Sequence, residues 1–261
     1  METQMGPSVS RGRVLAFRIV AGVFGALTIL ITIGGAIPVL TNGPDKVHSF
    51  HVLGSLPVYV LLTGLPLVVL AMRPMDVVAL RVAWATAIGS VIAAIFGQDL
   101  ISGLFVIAPV VLVVLTILAP MRRDLGRFGS PTIALLAFAI LGAIPATIYA
   151  WDNARIQLEM DPSKDMTGHW SGHHWSGIAG AALALVLVGV VLAFRHAGDR
   201  MWIWTGGIAA MLFGAMGIVF SDTVRYPSSI GTSWGLLVLF AGFVYIGVAE
   251  VADRAAAEVS T

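Results

Sequence analysis

The hydrophobic positions of this chain fall into long, nearly uninterrupted runs, which polar segments separate at regular intervals. Each run has about the ~20 residues that an α-helix needs to cross the hydrocarbon core of a bilayer. The eight runs lie near 17–40, 52–72, 78–97, 101–120, 131–151, 175–195, 201–220 and 232–250. This pattern predicts an all-α, polytopic integral membrane protein with eight transmembrane helices, in contact with the lipid bilayer.

Composition supports the same class of protein. With 58% hydrophobic and 11% charged residues, a chain of 261 residues has too little polar surface for a soluble globule. The chain has no cysteine, which excludes disulfides and thiolate metal sites. The net charge of +1 comes without a dense basic cluster, so nucleic acid is not expected as a partner.

The distribution of lysine and arginine predicts the orientation. Eleven of these residues fall in the segments on one side of the predicted helices and only four on the other side. Because cytoplasmic loops are enriched in basic residues, both termini are expected in the cytoplasm, and the membrane is expected to be a bacterial-type plasma membrane. The outer loops would then be 41–50, 98–100, 152–173 and 221–231.

Short matches between the two halves indicate an internal repeat. The sequence Gly-Ala-Ile-Pro at 35–38 recurs at 142–145, near the ends of the first and fifth predicted helices. We therefore expect two tandem four-helix repeats, 1–127 and 128–261, the second with the long outer loop and a short cytoplasmic tail. Since each repeat has an even number of helices, both should share one orientation, related by an axis along the membrane normal.

Two histidine–aspartate pairs are the strongest candidates for chemistry. His51 precedes Asp99 by 48 residues, and His174 precedes Asp222 by the same interval. Each interval holds one hairpin whose turn lies about 24 residues from both ends, a rise of ~36 Å per helix, so each pair should lie level at the outer interface. Two imidazoles and two carboxylates converging between the repeats would suit Zn, Mn or Fe. The alternative is that each pair is structural and closes its own hairpin by a hydrogen bond.

Secondary candidates surround these pairs. Imidazole and thioether together favour copper, although methionines in an interfacial loop are common apolar contacts with the membrane surface. These candidates are His48, His169, His173, Met160 and Met166.

Two four-helix bundles with cytoplasmic termini resemble heme A synthase in layout, and Gly34-Gly35-Ala36-Ile37 before the first outer loop is similar to that family. That resemblance implies a histidine in the fourth helix of each bundle. The predicted helices 101–120 and 232–250 contain none, so bis-histidine heme ligation within one bundle is not expected and the activity is not carried over.

Three classes of function remain open from the sequence. The leading hypothesis is binding of a transition metal or a small ligand at an outward-facing site between the repeats. The second is an assembly or interaction subunit with a membrane protein partner, whose histidine–aspartate pairs are structural. The third is a heme-binding membrane cytochrome using His51 and His174, or a metal-dependent enzyme at the outer leaflet.

Overall fold

A computed structural model describes residues 10–42, 46–99, 103–159, 174–195, 199–221 and 230–259, and all regular structure within these ranges is helical. The helices are α1 Arg11–Asn42, α2 Lys46–Tyr59, α3 Leu65–Met72, α4 Val77–Phe96, α5 Gly103–Leu118, α6 Ile133–Glu159, α7 His174–Ala193, α8 Arg200–Val219 and α9 Gly231–Val259. A π-helical turn, Val60–Gly64, joins α2 to α3, so that these two form one continuous helix.

The prediction of a helical membrane protein is confirmed. Over the described part of the chain, seven helices are long and apolar enough to cross a membrane, counting α2 and α3 as one. The remaining predicted span corresponds to α5, which has 16 residues.

The arginine-rich segments gather at one end of the bundle. Arg13, at the start of α1, donates a hydrogen bond from Nε to the carbonyl oxygen of Leu118 at the end of α5, at 3.0 Å. Arg195, just after α7, forms an ion pair with Asp253 near the end of α9, at 2.5 Å. The turn between α3 and α4 meets the start of α8 at the same end. We call this the arginine-rich end, and the opposite end, where α6 finishes and α7 begins, the histidine end.

Helix packing relies on small residues at close contacts. A Cβ atom added to Gly89 of α4 would lie 2.6 Å from the backbone nitrogen of Ala184 in α7. Likewise, a Cβ atom added to Gly214 of α8 would lie 2.5 Å from the backbone nitrogen of Leu239 in α9. Small residues at membrane-helix interfaces let backbones approach closely, which increases van der Waals contact where no hydrophobic driving force exists.

The pairing of helices is similar in the two predicted repeats. In the first, α1 packs against α2 and α3, and α4 packs against α5; in the second, α6 packs against α7, and α8 against α9. Between the repeats, α4 packs against α7 and α2 against α8, while α2 and α7 meet in the middle. Two similar halves related by a rotation would produce this arrangement. Their superposition remains a prediction.

Several predicted helix ends are wrong. Helix α6 continues to Glu159, into the predicted loop 152–173, where Arg155 and Glu159 form an ion pair one turn apart at 2.6 Å. Helix α2 begins at Lys46 within the predicted loop 41–50, and α9 extends to Val259. Polar residues continue α6 beyond its apolar run, and an alanine-rich segment with three charged residues continues α9.

Candidate functional site

The two histidines singled out by the sequence lie side by side between the predicted repeats. The ring centroids of His51 and His174 are 5.9 Å apart, and the ring planes are inclined by 59°. His51 lies on the second turn of α2 and is 2% exposed. His174 is the first residue of α7.

Trp175 encloses this pair. Its ring lies edge-on to the His51 ring, with centroids 4.2 Å apart and planes inclined by 76°, and the residue is fully buried. A tryptophan at a predicted helix end is usually part of the aromatic belt at the membrane surface. Trp175 instead occupies the contact between α2 and α7, so bulk water does not reach the His51 ring from that side.

The backbone after α4 positions Asp99. Two hydrogen bonds end the helix: the Asp99 N–H donates to the carbonyl oxygen of Ala94 at 2.7 Å, and the Gln98 N–H to that of Ile95 at 3.2 Å. Gln98 has a φ of 54°, a left-handed conformation that non-glycine residues adopt uncommonly. This pattern is a Schellman motif with glutamine at the position where glycine is usual. The motif turns the buried Asp99 side chain toward α7.

Asp99 contacts α7, which belongs to the second predicted repeat. Ser176 Oγ donates a hydrogen bond to Asp99 Oδ2, and the serine is fully buried. Gly97 leaves space for this contact, because a Cβ atom there would lie 2.5 Å from Ser176 Oγ. Ser176 was not among the candidates from the sequence. At the offset of 123 residues that separates His51 from His174, its counterpart is Leu53, which cannot donate such a bond.

A second buried hydrogen-bond cluster lies deeper in the same interface. Tyr59 Oη donates to the carbonyl oxygen of Gly177 at 2.8 Å, and Ser90 Oγ donates to Tyr59 Oη at 3.3 Å. The cluster joins α2, α4 and α7. Just beyond Tyr59 begins the π-helical turn, where Thr86 of α4 donates to the carbonyl oxygen of Leu62 at 2.9 Å. A hydroxyl side chain thus donates to a backbone carbonyl within the π-helical turn.

The histidine pair supplies two potential metal ligands. Among the described residues, no group of three or more His, Cys, Asp or Glu side chains lies close enough to hold one ion. Two imidazoles bound to one zinc at 2.0–2.1 Å place their ring centroids roughly 5 Å apart, so a small movement of the rings would allow both to bind.

The predicted four-residue metal site stays a prediction, because several candidates cannot be placed. His48 belongs to α2, but its side chain lies outside the described part of the structure. The candidates that lie wholly outside the described residues are Asp222, His169, His173, Met160 and Met166.

A cavity of about 510 Å³ lies elsewhere, between α6, α7, α8 and α9. Its wall is almost entirely apolar, with polar side chains such as Asn153 near the histidine end. Sequence reasoning did not predict this cavity, because its existence depends on how far α6 and α9 stand apart.

Comparisons with protein-family models, with curated proteins and with solved structures found no match to this chain.

Proposed function

We propose that this integral membrane protein binds a transition metal ion between its two halves, with His51 and His174 as imidazole ligands. The observation that carries the proposal is the 5.9 Å separation of the two rings, which come from helices of different halves. Zinc, manganese, iron and copper all accept imidazole nitrogen. The rest of the coordination sphere would come from carboxylates, with Asp222 as the first candidate, from histidines of the 160–173 segment, or from water.

The enclosure of the pair supports an ion rather than a larger ligand. His51 is 2% exposed and Trp175 lies against its ring. Buried ionisable side chains in membrane proteins commonly mark functional sites. An ion that replaces water ligands by two imidazoles fits the space between two packed helices.

Metal content of the purified protein tests the proposal. The wild type, incubated with zinc and then desalted, is expected to retain about one ion per chain. His51→Ala and His174→Ala should each lose it, since the site keeps only one of its two imidazoles, whereas His48→Ala should retain it. Equal metal content in the wild type and in both alanine variants would contradict the proposal. An absorption spectrum of the same sample tests the heme alternative.

Contacts across the interface support a second candidate, an assembly subunit whose polar residues are structural. Ser176 donates to Asp99 across the two halves, and Trp175 packs on His51. On this hypothesis His51→Ala would destabilise the fold by ~1–3 kcal/mol, the cost of a buried group left without its partner, and metal content would not change.

We further propose that the arginine-rich end is cytoplasmic and the histidine end faces outward, following the positive-inside rule. The chain has no cysteine, so a single introduced cysteine is its only thiol. In intact cells, Glu159→Cys is expected to react with a membrane-impermeant maleimide, whereas Arg254→Cys should react only after permeabilisation. The reverse pattern would contradict this orientation.

A further inference from the structure

The cavity between α6, α7, α8 and α9 opens toward the lipid. Helices α6 and α9 pack far less closely against each other than each packs against its neighbour in the chain. Ile144 of α6 and Leu237 of α9 both belong to the wall and are 63% and 54% exposed. The volume of about 510 Å³ is within the range of small-molecule sites. A ligand would therefore enter sideways from the bilayer.

Polar groups lie at one end of this cavity. Tyr149, Asp152 and Asn153 belong to the wall near the end of α6, toward the histidine end. Asn153 is fully buried, and its Nδ2 donates to the carbonyl oxygen of Tyr149 at 2.9 Å. The buried Tyr149 side chain also hydrogen-bonds the Asn153 side chain, while the Asn153 Oδ1 has no hydrogen-bond partner within the described residues. Buried polar atoms are nearly always paired, so this acceptor calls for a donor.

The charge of the wall restricts the ligand class. None of the described residues that line the cavity is a lysine or an arginine, while Asp152 contributes a carboxylate. A phosphate headgroup requires cationic or N–H donors, so phospholipids are disfavoured. A hydroxyl, in contrast, can donate to Asn153 Oδ1 without introducing charge.

We propose that this cavity binds a neutral membrane lipid with a hydroxyl head, such as an isoprenoid alcohol, with the hydroxyl donating to Asn153. The hydrocarbon tail would lie along the apolar wall toward Tyr245, whose Oη already donates to the carbonyl oxygen of Gly189 at 3.1 Å. Because moving a tail from lipid into an apolar cavity yields no hydrophobic gain, the head group decides selectivity. The site is separate from the histidine pair and does not depend on metal binding.

Gly142 and Gly35 provide a matched pair of variants. Both are the glycine of a Gly-Ala-Ile-Pro sequence, and a Cβ atom added to either has no neighbour within 4 Å. Gly142 lines the cavity, whereas Gly35 lies on α1, away from it. Gly142→Leu should fill part of the cavity without disturbing helix packing, and Gly35→Leu makes the same change outside it.

The test uses tritiated geranylgeraniol and the full chain in detergent micelles, with unlabelled phosphatidylglycerol as competitor. The wild type should bind geranylgeraniol saturably, Gly142→Leu should weaken binding at least about tenfold, and Gly35→Leu should bind like the wild type. Asn153→Leu should abolish the preference for geranylgeraniol over squalene, a hydrocarbon without a hydroxyl. Unchanged binding in Gly142→Leu, or equal competition by phosphatidylglycerol, would overturn the proposal even if Asn153→Leu fails to fold.

Discussion

The histidine pair and the α6–α9 cavity both place polar side chains toward the same end of the bundle, but their surroundings differ. At the pair, Trp175 is fully buried against His51, and further along α7 the helix α4 approaches closely through Gly89. At the cavity, α6 and α9 stand apart, and residues such as Ile144 are exposed to lipid. On the two proposals above, helix separation decides ligand size: the closely packed helices would hold an ion, whereas the separated helices would hold a lipid.

The largest loss of stability is expected where the close packing of α4 against α7 is broken. Gly89→Val would place side-chain atoms against the backbone of α7, where even a Cβ atom would lie 2.6 Å from Ala184 N. Neither backbone can move without separating the helices. The free energy of unfolding should therefore fall by ~3 kcal/mol or more, the upper end of what overpacked cores lose. Thermal unfolding in detergent measures it.

The control for that change is Gly34→Val, at a position where an added Cβ atom meets nothing within 4 Å. It should unfold close to the wild-type temperature. Similar stabilities of the two variants would show that the α4–α7 contact does not hold the halves together.

A smaller loss of stability is expected when the polar contact across the same interface is removed. Ser176→Ala removes the hydroxyl that donates to the buried Asp99 carboxylate, which should cost ~1–3 kcal/mol. Ser55→Ala is the control, because among the described residues Ser55 Oγ donates within its own helix, to the carbonyl oxygens of His51 at 2.7 Å and Val52 at 3.3 Å. Chemical unfolding of both variants gives the difference, and no difference between them would mean that the Asp99 contact is dispensable.

Hydropathy was sufficient to predict most of the helices. The run near 175–195 corresponds to α7, His174–Ala193, because the lengths of apolar segments are set by the thickness of the membrane. The ends were predicted less well. Helix α6 continues through Arg155 and Glu159, whose ion pair one turn apart supports a polar extension that hydropathy does not detect.

The site could be predicted only in part. Equal spacing to the aspartates singled out His51 and His174, and the structure places their ring centroids 5.9 Å apart. Their surroundings depend on how α4 and α7 rotate about their axes, which no spacing in the sequence specifies. Ser176 and Trp175 were therefore missed as partners, and the cavity was missed because it arises from the separation of two helices.

X-ray absorption spectroscopy of the zinc-loaded protein tests the central claim most directly, because it reports ligand type and distance at the ion. The wild type is predicted to show two imidazole ligands from His51 and His174 with Zn–N distances of about 2.0–2.1 Å. His174→Ala should show at most one, with the vacant position taken by water. A zinc spectrum without imidazole scattering, or one identical in the wild type and His174→Ala, would contradict the account.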